Sequence, residues 1–209
     1  MNHSTPFTTD PPARPPTAAP APTRVRVWDP FVRLFHWGLG AAVLIAFFTE
    51  DEFLGLHTWA GYTVLTLIGA RLIWGLIGPH HARWSSFVRG PSATLAYLGE
   101  VLRGHPPRYL GHNPAGAAMA LALMTGFGLT ALTGVAVLGA GELAGPLAPL
   151  LQGVSSATAH DLKAVHEFLA WATLALVPLH LLGTALSSLQ HRENLVRGMI
   201  DGYKRNDEA

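Results

Sequence analysis

From residue 31 onward the chain alternates long apolar stretches with shorter polar or Gly- and Pro-rich ones. Four apolar stretches stand out, at residues 31–48, 57–77, 115–138 and 165–189. Each is near the ~20 residues that a helix needs to cross a bilayer. Inside hydrocarbon the backbone finds no external hydrogen-bond partner, so each stretch must satisfy its own N–H and C=O groups as a helix. The pattern predicts an all-α protein, an integral membrane bundle of four transmembrane helices. Pro178 lies inside the fourth stretch; it removes a backbone donor and predicts a kink of the kind membrane helices tolerate. Residues 140–159 are moderately apolar but broken by Gly and Pro. They are expected to form a loop near the membrane surface, with a re-entrant segment as the alternative.

The two ends read differently. Residues 1–23 are rich in Pro, Thr and Ala and include Pro11, Pro12, Pro15, Pro16, Pro20 and Pro22. Such a segment has too little apolar surface to bury, and a disordered tail is expected. It lacks an apolar core and does not read as a signal peptide. The expected division is a tail over 1–23, a transmembrane domain over 24–205 and a short tail over 206–209. No internal repeat is visible.

Composition supports lipid as the solvent. Only 13% of the 209 residues are charged and 49% are hydrophobic, with a mean hydropathy of +0.28. Soluble domains carry about 25% charged residues. The net charge of +1 gives no global field for nucleic acid. The absence of cysteine excludes disulfides, thiolate-ligated iron–sulfur clusters and covalently attached haem.

Basic residues set the orientation. Arg14, Arg24, Arg26 and Arg33 precede or open the first stretch. Arg71, Arg83, Arg89, Arg103 and Arg108 end the second or follow it. Arg192, Arg197, Lys204 and Arg205 follow the fourth. Only Lys163, of 14 basic residues, falls on the other side. Both termini are therefore expected to be cytoplasmic, with Glu50-Asp51-Glu52 and the 140–159 loop facing outward.

This topology gives the membrane histidines a depth. An ionisable residue in a membrane helix is a functional-site hypothesis by default. His36 opens the first stretch from the inner side, whereas His57 and His166 open the second and fourth from the outer side. His180 follows His166 by 14 residues, roughly 21 Å of rise and within roughly 40° of the same helix face. His57 and His166 then share the outer level, and His36 and His180 the inner one. Two imidazoles facing each other at one depth suit a six-coordinate haem iron, which has no open position for oxygen and favours electron transfer. Zinc fits less well, because neither level offers a thiolate or an inward carboxylate. Gly61 follows His57 by one turn, Gly183 follows His180 by just under one, and Gly38 and Gly40 flank His36. Such residues let a flat macrocycle approach the backbone. In the third stretch Gly126, Gly128 and Gly134 fit either that role or plain helix packing.

Several separated motifs resemble the bacterial cytochrome b561 and nickel-hydrogenase cytochrome b family. They are Val27-Trp28-Asp29-Pro30 through Arg33-Leu34-Phe35-His36-Trp37, His57-Thr58-Trp59-Ala60-Gly61-Tyr62, and Arg71-Leu72-Ile73-Trp74-Gly75 with Gly78-Pro79. The loop elements Ala82-Arg83-Trp84 and Gly111-His112-Asn113-Pro114 follow, and then His166-Glu167 with His180. The resemblance covers about residues 25–205. It implies a four-helix dihaem protein in which His36, His57, His166 and His180 are the axial ligands of two non-covalent b-type haems. It also implies a bacterial inner-membrane location, quinone or quinol as substrate, and a c-type cytochrome or hydrogenase-like redox subunit as partner.

Haem propionates call for nearby cations. Arg33 and Arg71 are placed to serve the inner haem, and Lys163 is the one cation available for the outer. Of the remaining histidines, His160 could carry protons at the outer face, and His112 is expected to shape the loop before the third stretch. The acidic turn could attract a basic soluble cytochrome or be a solvated hairpin tip. Trp28, Trp37, Trp59, Trp74 and Trp84 lie near expected membrane boundaries, as an aromatic belt would. The leading reading is one-electron relay in a respiratory chain between quinone and a protein partner. Two others stay open at this point: a superoxide:quinone oxidoreductase, and a haem-free membrane anchor or small transporter. Whether the chain is an enzyme is left open with them.

Overall fold

A computed structural model describes residues 23–50 and 52–206. In chain order it comprises strand β1 (Thr23–Arg26), helices α1 (Pro30–Phe48) and α2 (Leu54–Ile77), a 3-10 turn at His80–Ala82, and helices α3 (Trp84–Phe87), α4 (Pro91–Leu102), α5 (Pro114–Gly141), α6 (Ala148–Leu151), α7 (Ser156–Leu174), α8 (Leu176–Gln190) and α9 (Leu195–Asp201), ending in strand β2 (Tyr203–Asn206). Of the tails expected over 1–23 and 206–209, residues 1–22 and 207–209 lie outside the described residues, as does Asp51 of the acidic turn, whereas Thr23 and Asn206 pair in the two strands.

Four spans are long and apolar enough to cross a membrane: α1, α2, α5, and α7 with α8. The fold is the expected all-α membrane bundle. Local signals explain the boundaries. Asp29 caps α1, its carboxylate accepting from the Phe31 and Val32 N–H groups at 2.9 and 3.1 Å. Asn113 caps α5 by accepting from Gly116 N–H at 2.7 Å, with Pro114 at the first helical position. Ser155 caps α7, accepting from Thr158 N–H at 3.1 Å.

The fourth span starts at Ser156, nine residues before the expected 165, because this cap nucleates the helix ahead of its apolar run. His166 therefore lies ten residues inside the helix rather than opening it. The break falls at Ala175, between α7 and α8. Pro178 has no N–H to give the Leu174 carbonyl, so the ladder loses its rung there. The loop expected over 140–159 shrinks to 142–155 and contains the short α6.

Helix α5 is the hub, packing most extensively on α7 and then on α2, while α1 packs on α2. A Cβ on Gly126 would come within 2.4 Å of Thr173 Oγ1, so only a glycine permits this α5–α7 approach. Gly128 faces Ile68 of α2, and Gly134 faces the His166 ring. The glycines of the third span thus serve helix packing, and Gly134 also seats an imidazole. The apolar core joins Phe35, Leu39 and Ala42 of α1 to Val64 and Ile68 of α2 and Met124 and Ala131 of α5. The α7–α8 span takes little part in it, with Thr173 its only residue among the buried set.

The end of the bundle that carries the basic residues has a cap that the apolar pattern did not foretell. β1 and β2 pair antiparallel, Thr23 opposite Asn206 and Arg26 opposite Tyr203. Val27, Trp28, Val32 and Ala82 form a second buried cluster beneath them. Trp28 is only 5% exposed, so it belongs to this cluster and not to an aromatic belt. Trp84 likewise lies over Arg71, 4.3 Å from its guanidinium. Trp37 and Trp59 remain exposed, 49% and 73%, as lipid-facing tryptophans would be.

Gly202 closes the cap. Its φ of +90° suits glycine, and its carbonyl accepts from the Val27 and Trp28 N–H groups at 2.9 and 3.1 Å. A Cβ there would lie 2.6 Å from the Trp28 carbonyl oxygen. Gly202→Ala is expected to destabilise the protein by about 1–3 kcal/mol. A lowered thermal unfolding midpoint in detergent checks this, and an unchanged midpoint contradicts it.

Candidate functional site

Four half-buried imidazoles meet in two pairs across the bundle. The rings of His36 on α1 and His180 on α8 lie 6.1 Å apart between centroids, and those of His57 on α2 and His166 on α7 also lie 6.1 Å apart. A metal–imidazole bond of about 2 Å on each side, with about 1 Å from nitrogen to ring centre at either end, spans about 6 Å. Both separations therefore leave room for one metal between two rings. Among the described residues no three His, Asp or Glu side chains cluster to hold a metal by themselves. The donor set suits iron that brings its own equatorial ligands, as haem does.

The outer pair is oriented by the backbone. His57 Nδ1 lies 2.8 Å from the Ala46 carbonyl, and His166 Nδ1 lies 2.9 Å from the Thr130 carbonyl. A carbonyl only accepts, so both Nδ1 atoms carry the proton and both Nε2 lone pairs are free. The Ala46 carbonyl is available because it falls in the last turn of α1. This is the usual support of a metal-ligating histidine, which fixes the ring and raises its basicity. The inner pair lacks such support: His36 Nδ1 is shut off from solvent and has no partner.

Small residues flank the rings. Nothing lies within 4 Å of a Cβ built on Gly40, Gly61 or Gly183, which stand four residues after His36, four after His57 and three after His180. These histidines therefore have open space beside them on the same side of their helices. The unpaired His36 Nδ1, the two imidazole separations and this space together fit a flat metal-bearing ring at each level.

The cations expected nearby fare differently. Arg71, 3% exposed, sits six residues inside α2 and not at its end. Its Nη2 donates to the Ala82 carbonyl at 3.0 Å, while its Nη1 is buried with no partner. Arg33 donates from Nη1 to the Ile200 carbonyl, tying α1 to α9, and its Nε is buried and unpartnered. Lys163 is exposed and its ammonium lies 3.5 Å from Glu167, one helical turn on, in a solvent-exposed pair. His160 is exposed on α7.

His112 was expected only to shape a loop. Its ring is wedged between Trp28, 4.7 Å away, and Phe87, 4.4 Å away, and its Nδ1 is closed off without a partner. The signal available in the sequence was its place one residue before the Asn113 cap, which anchors the loop to α5. Burial, with Arg71 and Lys204 next in weight and His36 and His180 adding to them, pushes the His112 pKa down to about 3. Burial, opposed by Glu193 and assisted by Arg108, likewise pulls Lys204 down to about 8.

Because the folded His112 pKa lies below the unfolded value of 6.5, the unfolded chain binds more protons in that window. Stability is full above about 6.5 and falls as the pH drops toward about 3, by about 1.4 kcal/mol per unit. Thermal unfolding across this range should show a shallower acid slope in His112→Asn than in the wild type. Equal slopes would show that this ring does not couple folding to protons.

Comparison with known proteins comes to the same place. The model of the prokaryotic cytochrome b561 family matches residues 27–202. A probable Ni/Fe-hydrogenase B-type cytochrome subunit of Azotobacter chroococcum mcd 1 is 25% identical, covering 87% of this chain and 89% of its own. Proteins with the same description from Rhodobacter capsulatus and Bradyrhizobium diazoefficiens are 25% and 24% identical, over 87% of this chain and 82% and 86% of theirs. No solved structure matches the chain.

Proposed function

The chain belongs to the prokaryotic cytochrome b561 family, and on that premise we propose that this membrane-integral b-type electron-transfer protein holds two haems and relays single electrons between a quinone and a protein redox partner. The observation that carries the number is the pair of imidazole–imidazole separations, each 6.1 Å, at two levels of one bundle. His57 and His166 would hold the outer haem, and His36 and His180 the inner.

When bound, haem supplies a one-electron ferric–ferrous couple at an iron with no free coordination position. The chain supplies the rest. Ala46 and Thr130 fix the outer imidazoles through their carbonyls. Gly61 leaves space beside His57 for the macrocycle. Arg71 and Arg33 offer unpartnered buried N–H groups beside the inner level, and Lys163, through its exposed position on α7, is the cation of the outer level. The α7–α8 span carries one ligand of each level, His166 on α7 and His180 on α8, so electrons cross from one face of the membrane toward the other.

The curated relatives are described as hydrogenase cytochrome subunits, which supports a hydrogenase-like subunit as the protein partner ahead of a c-type cytochrome. The asymmetry of the basic residues supports an inner-membrane protein with its basic end in the cytoplasm. The outer level offers one basic residue, Lys163, and it lies beside Glu167, so nothing favours the superoxide:quinone oxidoreductase reading over electron relay.

Two predictions follow from the pairing. The purified wild type should carry two haems per chain by pyridine haemochrome assay. His57→Ala and His166→Ala should each leave one haem, the same one, and His36→Ala and His180→Ala should each leave the other. Reduced-minus-oxidised spectra and midpoint potentials identify which haem remains. A wild type with a single haem, or members of one pair losing different haems, would sink the assignment. In addition, Gly61→Leu should displace the outer haem while sparing the inner, reducing the count from two toward one. Full occupancy in that variant would show that Gly61 does not border the ring.

A further inference from the structure

Next to the inner imidazole pair lies a group of cationic and polar side chains that electron relay does not explain. The rings and charges alternate in a row. The Arg71 guanidinium lies 4.3 Å from the Trp84 ring centre and 6.0 Å from that of Phe87. Phe87 stacks on His112 at 4.4 Å, His112 meets the edge of Trp28 at 4.7 Å, and Lys204 Nζ lies 5.6 Å from the Trp28 ring. Arg71 and Lys204 are both buried. Among the described residues the one hydrogen bond of Lys204 Nζ is to the Gly111 carbonyl, at 3.5 Å.

Among the described residues no carboxylate lies within ion-pair distance of Arg71 or Lys204. Asp29 acts on Arg71 and Glu193 on Lys204 only from beyond ion-pair distance, and a buried charge without a close counter-ion is costly unless an anion is brought to it. Two donors in this row are closed off from solvent and have no partner, Arg71 Nη1 and His112 Nδ1. Both stand near the inner level: Trp84, which lies over Arg71 and against Phe87, packs on the core cluster that holds Phe35, the neighbour of His36, and Phe87 in turn lies on His112. Burial, aided by the surrounding positive charge, keeps that ring neutral, so it has one N–H to give. A carboxylate, with two accepting oxygens and a negative charge, satisfies both donors and balances the cations.

We propose that His112 and Arg71 together form a carboxylate site that binds a propionate of the haem held by His36 and His180, with Lys204 supplying long-range charge. The proposal rests on the dihaem reading. A soluble anion is the other source of the same chemistry, because a cavity of about 180 Å³ lined by His80, His81 and His112 adjoins the ring.

Redox titration of the purified full-length protein, following each haem by its absorption band, separates the outcomes. Removing the donor in His112→Phe leaves the propionate charge less compensated and favours ferric iron. The inner haem should shift about tenfold toward the ferric form, a fall of about 59 mV for a one-electron couple. The outer haem should keep its midpoint, which also reports an intact fold. His112→Asn places an amide N–H where Nδ1 stood and should restore most of the wild-type midpoint. An unchanged inner midpoint in His112→Phe overturns the proposal, as does an equal shift in both variants, which would make His112 a packing residue only. Titrations with and without inorganic phosphate at equal ionic strength test the second source. The wild-type midpoint should not respond, and a phosphate-dependent midpoint that His112→Phe abolishes would assign the site to a soluble anion and overturn the propionate assignment. A wild type with fewer than two haems would instead fail the dihaem reading itself.

Discussion

Polar groups inside a lipid-embedded bundle have no water to fall back on, so each must find its partner within the protein or in what the protein binds. That constraint organises both levels of this bundle. The outer imidazoles spend one nitrogen each on the Ala46 and Thr130 carbonyls and keep the other free. At the basic end the same constraint leaves a remainder: His36 Nδ1, Arg71 Nη1, Arg33 Nε and His112 Nδ1 are buried without a protein partner. The two levels thus differ in kind. One is oriented by backbone carbonyls, and the other is surrounded by donors and cations that a carboxylate-bearing cofactor would satisfy.

Helix α5 makes this possible without contributing a histidine. Its glycines bring α7 close, and its Thr130 carbonyl holds the His166 ring. With α5 packed on α2 and α7, and α1 packed on α2, α1 and α2 meet α7 and α8 through the two imidazole pairs and the edge-to-face contact of Phe47 with Trp171. The α7–α8 span buries little besides Thr173. Its position therefore depends on α5 on one side and, in the dihaem reading, on the cofactors on the other.

The basic end is sealed by chain ends that meet. β1 and β2 pair, Gly202 receives the Val27 and Trp28 N–H groups, and Arg33 reaches the Ile200 carbonyl. Arg108 ties the loop to the C-terminal segment through Glu193, at 3.0 and 3.1 Å. These links place the 78–113 loop, with Trp84, Phe87 and His112, against the inner level. A segment that is polar and irregular in sequence becomes the wall of a site.

Hydrophobic run length alone determined the four spans, and the distribution of basic residues determined that the described ends share one side of the bundle. The sequence also made the histidine pairing legible, because depth along a helix follows from residue count. Even so, the arithmetic for His166 and His180 assumed one unbroken helix, and the structure breaks it at Ala175 and starts it at Ser156. Other features depend on contacts between segments far apart in the chain. Trp28 and Trp84 read as interfacial tryptophans, yet one packs under the terminal strands and the other on Arg71. His112 read as a loop residue, yet it lies between an aromatic ring before α1 and another on α3. Arg71 read as a helix-end cation, yet it is buried six residues inside α2 with a donor unspent. Apolar periodicity and spacing report what each helix does by itself; only tertiary packing decides which buried nitrogen is left without a partner.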